Sequence, residues 1–204
     1  MKLKNLLENL KTYHIEKSVI DKIYSELLKF SMSNLIPIKV VNITSDIKNL
    51  VKDKDFKLLI IFTKRQLKRM EQMTGIYIPR DKKTKIIYIH APKHLDGYDP
   101  KQFWILIKHE LIHALDHIET NDKTLFINPD NADASYWNSE LEINANYHEL
   151  LDNLQKFGKE NIKTKKDLEQ FIIKNISNSK DFISTIPKYI ERLKKERIIT
   201  NLKG

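Results

Sequence analysis

The stretch Phe103-Trp-Ile-Leu-Ile-Lys-His109-Glu110-Leu-Ile-His113-Ala-Leu-Asp-His-Ile118 decides how the rest of the chain is read. Its apolar residues recur every three or four positions, the spacing of a helix that buries one face. Asp99 and Pro100 stand just before it, as an N-cap and a first helical residue. His109 and His113 are four apart, so their imidazoles project from adjacent turns of one face and can grip a single ion. Glu110 lies beside them, where a carboxylate can take a proton from an activated water and pass it to a leaving amine. Between Leu106 and Leu115 the only other charge is Lys108. Charged groups among aliphatic ones are costly unless a ligand satisfies them, so zinc is the expected cofactor, one ion per chain.

A catalytic zinc takes about three protein ligands and leaves one position open. His117 extends the four-residue series, but it lies about 12 Å along the axis from His109, too far for all three to converge. Glu119 occupies the position used where a glycine breaks the helix after the motif. Here Asp116 stands in place of that glycine, and the helix is expected to continue. Glu140 and Glu142 remain, on a second helix expected from Ser139 to Phe157. Glu142 is preferred, because Asn146 follows it by one turn and Glu149 shares its face. Asn146 and Asp116 are the residues expected to support the metal-bound imidazoles from behind.

Working outward, residues 2–12 and 17–31 read as helices, and Leu35–Ile43, with Pro37, as an edge strand or strand entry. Lys57–Thr63 is a short continuous apolar run, expected to be a buried strand, with a basic helix from Lys64 to Met73 after it. Gly75–Pro79 and Thr84–His90 are β-rich runs separated by four polar residues, which reads as a hairpin. Residues 120–136 read as a polar loop, and two basic amphipathic helices, near 164–176 and 180–198, finish the chain. The fold class is therefore α+β: a small mixed or antiparallel sheet, a motif-bearing helix and a glutamate-bearing helix, flanked by N- and C-terminal helices. A single domain over residues 1–204 is expected, with N-terminal helices to residue 34, a core over 35–157 and basic helices over 158–204.

Composition removes several function classes. With 204 residues, no Cys and four Gly, the chain offers no disulfide framework, no thiolate ligand or nucleophile and no glycine-rich phosphate loop. The net charge is +9, divided as +10 over residues 1–98, −7 over 99–157 and +6 over 158–204. An acidic middle between basic ends suits a simple nucleic-acid binder poorly. No apolar run approaches the roughly 20 residues of a membrane span, and the N-terminus does not read as a signal peptide, so a cytoplasmic protein is expected. Phe103 and Trp104 read as core anchors, His148 as structural, and Lys188, Arg192, Lys194, Lys195 and Arg197 as a solvated basic face.

The order hairpin, His-Glu-x-x-His helix, loop, Glu142-Ile-Asn-Ala-Asn146 helix resembles the compact gluzincin metallopeptidases, over roughly residues 75–155. Two types are similar: the repressor-cleaving type found with mobile elements and the anthrax-lethal-factor-like type. His109-Glu-Leu-Ile-His-Ala-Leu-Asp116 is especially similar to the latter. The resemblance implies a zincin-like metallopeptidase domain, zinc held by His109, His113 and Glu142, Glu110 as general base, and an extended peptide or protein substrate. It also implies docking of that peptide along Lys85–His90 as a sheet edge. Lethal-factor-like members place an oxyanion-stabilising Tyr seven residues before the zinc glutamate. Position 135 here is Ser, and Tyr136 is the candidate for that role. Two other readings stand beside a general endopeptidase. One is a regulatory protease with a single target; the other is a binding module that has lost turnover and holds DNA or an acidic protein through its basic helices. Intact Glu110 argues against the last.

Overall fold

The computed structural model describes residues 12–33, 37–64, 75–81, 83–90, 100–120, 140–176 and 184–200. They fall in two compact units, Met1–Leu125 and Phe126–Gly204. The first holds helices α1 (Lys17–Met32), α2 (Thr44–Ile47) and α3 (Pro100–Glu119) and strands β1 (Ile38–Asn42), β2 (Lys57–Thr63), β3 (Gly75–Pro79) and β4 (Thr84–His90). The second holds α4 (Glu140–Phe157), α5 (Lys165–Asn175) and α6 (Ile186–Lys195). The protein is thus mixed α and β, with one four-stranded sheet and six helices among the described residues. The helices expected at 2–12 and 64–73, the cap at Asp99 and the loop at 120–136 lie wholly or largely outside those residues.

The sheet has the order β1-β2-β4-β3. β1 pairs antiparallel with β2, β2 runs parallel to β4, and β3 and β4 form the antiparallel hairpin. The sheet is mixed, as expected, but the peptide-docking edge is not where the resemblance puts it. β4 lies between β2 and β3, and its backbone groups are taken on both sides; the edges are β1 and β3.

The register lines up Val41, Ile60, Ile87 and Tyr77 across all four strands, and side chains two residues away share their face. Leu58, Ile60, Phe62, Ile87 and Ile89 on this face are essentially inaccessible to water. α1 contributes Val19, Ile20, Ile23, Leu27 and Phe30, and α3 contributes Phe103, Ile107, Leu111, Leu115 and Ile118. Each set follows the three-and-four spacing of a single buried stripe. Phe30 stacks on Phe62 at 5.9 Å between centroids, and Phe103 meets Tyr24 at 6.4 Å. Two contacts hold α3 against the edge strand β3. A Cβ on Gly75 would come within 3.2 Å of the Leu106 side chain, so the absence of a side chain lets strand and helix approach. Tyr77 Oη and His117 Nδ1 share a hydrogen bond of 2.7 Å between two buried groups.

In the second unit α4 buries Ile143, Tyr147, Leu150 and Leu154, again one stripe. Gly158 ends it with φ of 88°, the left-handed conformation that side chains resist. α5 begins with a reciprocal capping box between Thr164 and Asp167. α6 presents Ile186, Tyr189, Ile190 and Leu193 inward. Among the described residues, no helix is long and apolar enough to cross a membrane.

Two outcomes follow for the first unit. Tyr77→Phe removes the hydroxyl that meets His117 in the interior and should cost about 1–3 kcal/mol in chemical denaturation, while Tyr77→Leu should cost more. Glu26, on α1, pairs with Lys29 and with Lys39 of β1, and the two ammonium groups hold its carboxyl at about 2 instead of 4.5. A depressed carboxylate stabilises the fold fully above its unfolded value, and that contribution disappears as pH falls through the folded one. Acid titrations of wild type and Glu26→Gln should therefore differ at neutral pH and converge between pH 4.5 and 2.

Candidate metal centre

α3 runs unbroken from Pro100 to Glu119, so Asp116 does not interrupt it and His109 and His113 lie on successive turns. Their rings meet edge to face, with centroids 4.6 Å apart. His113 and Glu110 are buried and His109 is half-buried. Asp116, one turn beyond, is 1% exposed and its carbonyl accepts from the Thr120 amide and hydroxyl. The other acid and imidazole of this helix are committed elsewhere. His117 meets Tyr77, and Glu119 accepts from the Lys52 amide at 2.9 Å and pairs with the Lys52 ammonium.

Glu142 lies in the first turn of α4 and is 3% exposed. One ligand atom each from His109, His113 and Glu142 lie within 4.8 Å of one another. The side chain of Glu140 and the whole of Tyr136 lie outside the described residues. Around a tetrahedral zinc, donors at roughly 2.0–2.2 Å from the metal stand about 3.4 Å apart. The 4.8 Å that bounds this group is wider than that spacing. Two imidazole nitrogens and a carboxylate oxygen form a donor set that suits zinc and leaves a coordination position open.

Asn146, one turn after Glu142, is half-buried on α4. Burial pushes the Tyr189 phenol well above its ordinary range, and the Glu142 and Glu149 carboxylates add to it. His148 is buried against Tyr147, the structural place expected of it. Trp104, half-buried, carries the Lys108 ammonium over its ring at 5.5 Å, while Phe103 is a core anchor as expected.

Three residues near the site escape a reading by motif. Tyr77 reads as an ordinary strand aromatic. Tyr189 reads as one member of an apolar stripe. Arg192 reads as part of a solvated basic face, yet its side chain is only 12% exposed and is held by Asn144, Tyr147 and Glu196. The available signal was spacing: Ile186, Tyr189, Ile190 and Leu193 form the inward stripe of α6, and Arg192 borders it.

Comparison of the chain with protein-family models, curated proteins and solved structures finds no match.

Proposed function

We propose that the protein is a zinc-dependent metalloendopeptidase that hydrolyses an extended peptide or protein. The observation that supports this reading is the grouping of His109, His113 and Glu142 within 4.8 Å. These three residues hold the metal. Zinc bound there supplies Lewis-acid chemistry, polarising a carbonyl and making a coordinated water acidic near neutral pH. Glu110, adjacent to His109 and buried, takes the proton from the attacking water and returns it to the leaving amine. Asp116 supports the α3 imidazoles from behind, and Tyr136 is assigned to the developing oxyanion.

Metal content is the decisive measurement. The purified chain should carry close to one zinc, and a chelator should lower its melting temperature in a manner that added zinc reverses. A metal-free protein whose melting temperature neither chelator nor zinc moves overturns the reading. Glu142→Ala should weaken zinc binding strongly, because it removes one of three protein ligands from a site without thiolates.

Glu110→Gln separates binding from turnover. This variant should keep its zinc and its fold and lose about 10²- to 10⁴-fold in kcat on a cleavable peptide. Unchanged turnover would remove Glu110 from the reaction.

A further inference from the structure

Glu142 lies in the first turn of α4, and the amides that open a helix lack intrahelical acceptors, so this turn is the least constrained by its own backbone. Contacts from outside α4 must set its rotation if the carboxylate is to be presented reproducibly. α6 supplies them. Arg192 Nη1 donates to Asn144 Oδ1 at 2.5 Å, and Asn144 is completely buried. The same guanidinium lies 3.9 Å from the centroid of Tyr147. Its Nε donates to Glu196 Oε1 at 2.9 Å, and Glu196 Oε2 accepts from the Tyr147 hydroxyl, also at 2.9 Å. Arg192, Glu196 and Tyr147 therefore close a ring of contacts that also takes hold of Asn144.

Asn144 follows Glu142 by two residues, about 200° around the helix, so this clamp grips the side of α4 opposite the carboxylate. Tyr189 of α6 adds a ring stacked on Tyr147, the rings 6.4 Å apart and inclined by 12°. One helix thus holds α4 from the side opposite the ligand. A lysine could not replace the arginine, because the contact uses a planar fork that donates in two directions and lies on an aromatic face.

We propose that Arg192 is a positioning residue of the metal centre, which fixes the rotation of α4 and so the presentation of Glu142. This rests on Glu142 being a metal ligand. α6 then belongs to the site although its residues touch no metal, and the C-terminal part of the chain is required for metal affinity as well as for packing.

A double-mutant cycle on zinc affinity tests it, using the full-length chain and a competing chromophoric chelator. Arg192→Met should weaken zinc binding about tenfold, the lower end of what outer-shell support is worth. Glu142→Ala should weaken it more, and the double variant should match Glu142→Ala alone, because Arg192 acts through that carboxylate. Metal-free helicity and melting temperature are recorded in parallel; a merely structural arginine moves these and adds its full loss of affinity in the double variant. Glu196→Gln removes the carboxylate that orients the guanidinium and accepts from the Tyr147 hydroxyl, so it serves as the test if Arg192→Met does not fold, with a loss in the same direction expected. Zinc affinity within about twofold of wild type for the folded variant, or full additivity with Glu142→Ala, overturns the positioning role. A wild-type chain that binds no zinc rejects the ligand assignment itself, a different result from the other two.

Discussion

A carboxylate and two imidazoles converge at this site from segments 29 residues apart, His113 on one helix and Glu142 on another. Two histidines four apart can share an ion only while the backbone between them stays helical, and α3 does so from Pro100 to Glu119. The rotation of α3 is as important as its continuity. The buried stripe from Phe103 to Ile118 and the His117–Tyr77 hydrogen bond both act on that rotation, one through packing and the other through a directional contact. His117 is thereby a registration device for the helix. Its place one turn beyond His113 is accounted for without any part in coordination.

Glu110, His113 and Asp116 on α3, and Glu142 on α4, are all less than one-tenth exposed. Burial of ionisable groups opposes folding unless opposite charge or hydrogen bonds compensate it. A divalent cation held by His109, His113 and Glu142 would add such compensation for two of them, His113 and Glu142. Glu119, the remaining acid of α3, accepts from the Lys52 amide and pairs with the Lys52 ammonium.

How far the fold could be read from the chain depended on whether local pattern or distant pairing decides each feature. Lys57–Thr63 and the hairpin Gly75–Pro79/Thr84–His90 match the structure residue for residue, since short β-branched runs bounded by turns specify strands locally. Strand order is not local. The expectation that β4 is an edge failed, although two signals pointed the other way. Ile86-Ile87-Tyr88-Ile89 is continuously apolar, as suits a strand covered on both faces, and Pro79 in β3 lacks the amide that an interior strand needs. At the site, helical spacing pairs His109 with His113 and Glu142 was preferred to Glu140 for the Asn146 that follows it, whereas Asn144 and Arg192 meet across 48 residues with no motif to announce them.

The basic C-terminal segment shows why charge counting alone misleads. Lys194, Lys195 and Arg197 are exposed, and the general reading of a solvated face holds for them. Arg192 differs by one property, its position beside the inward stripe of α6, which carries its guanidinium over Tyr147 and into reach of Asn144. A buried arginine is tolerated only when its donors are directed to acceptors, and here Glu196 and Asn144 supply them from different directions. Fixing a planar group in that way makes α4 resist rotation, because turning the helix would break two charge-assisted hydrogen bonds and a ring contact together. That resistance acts on the turn that carries Glu142, where the helix's own hydrogen bonding provides the least.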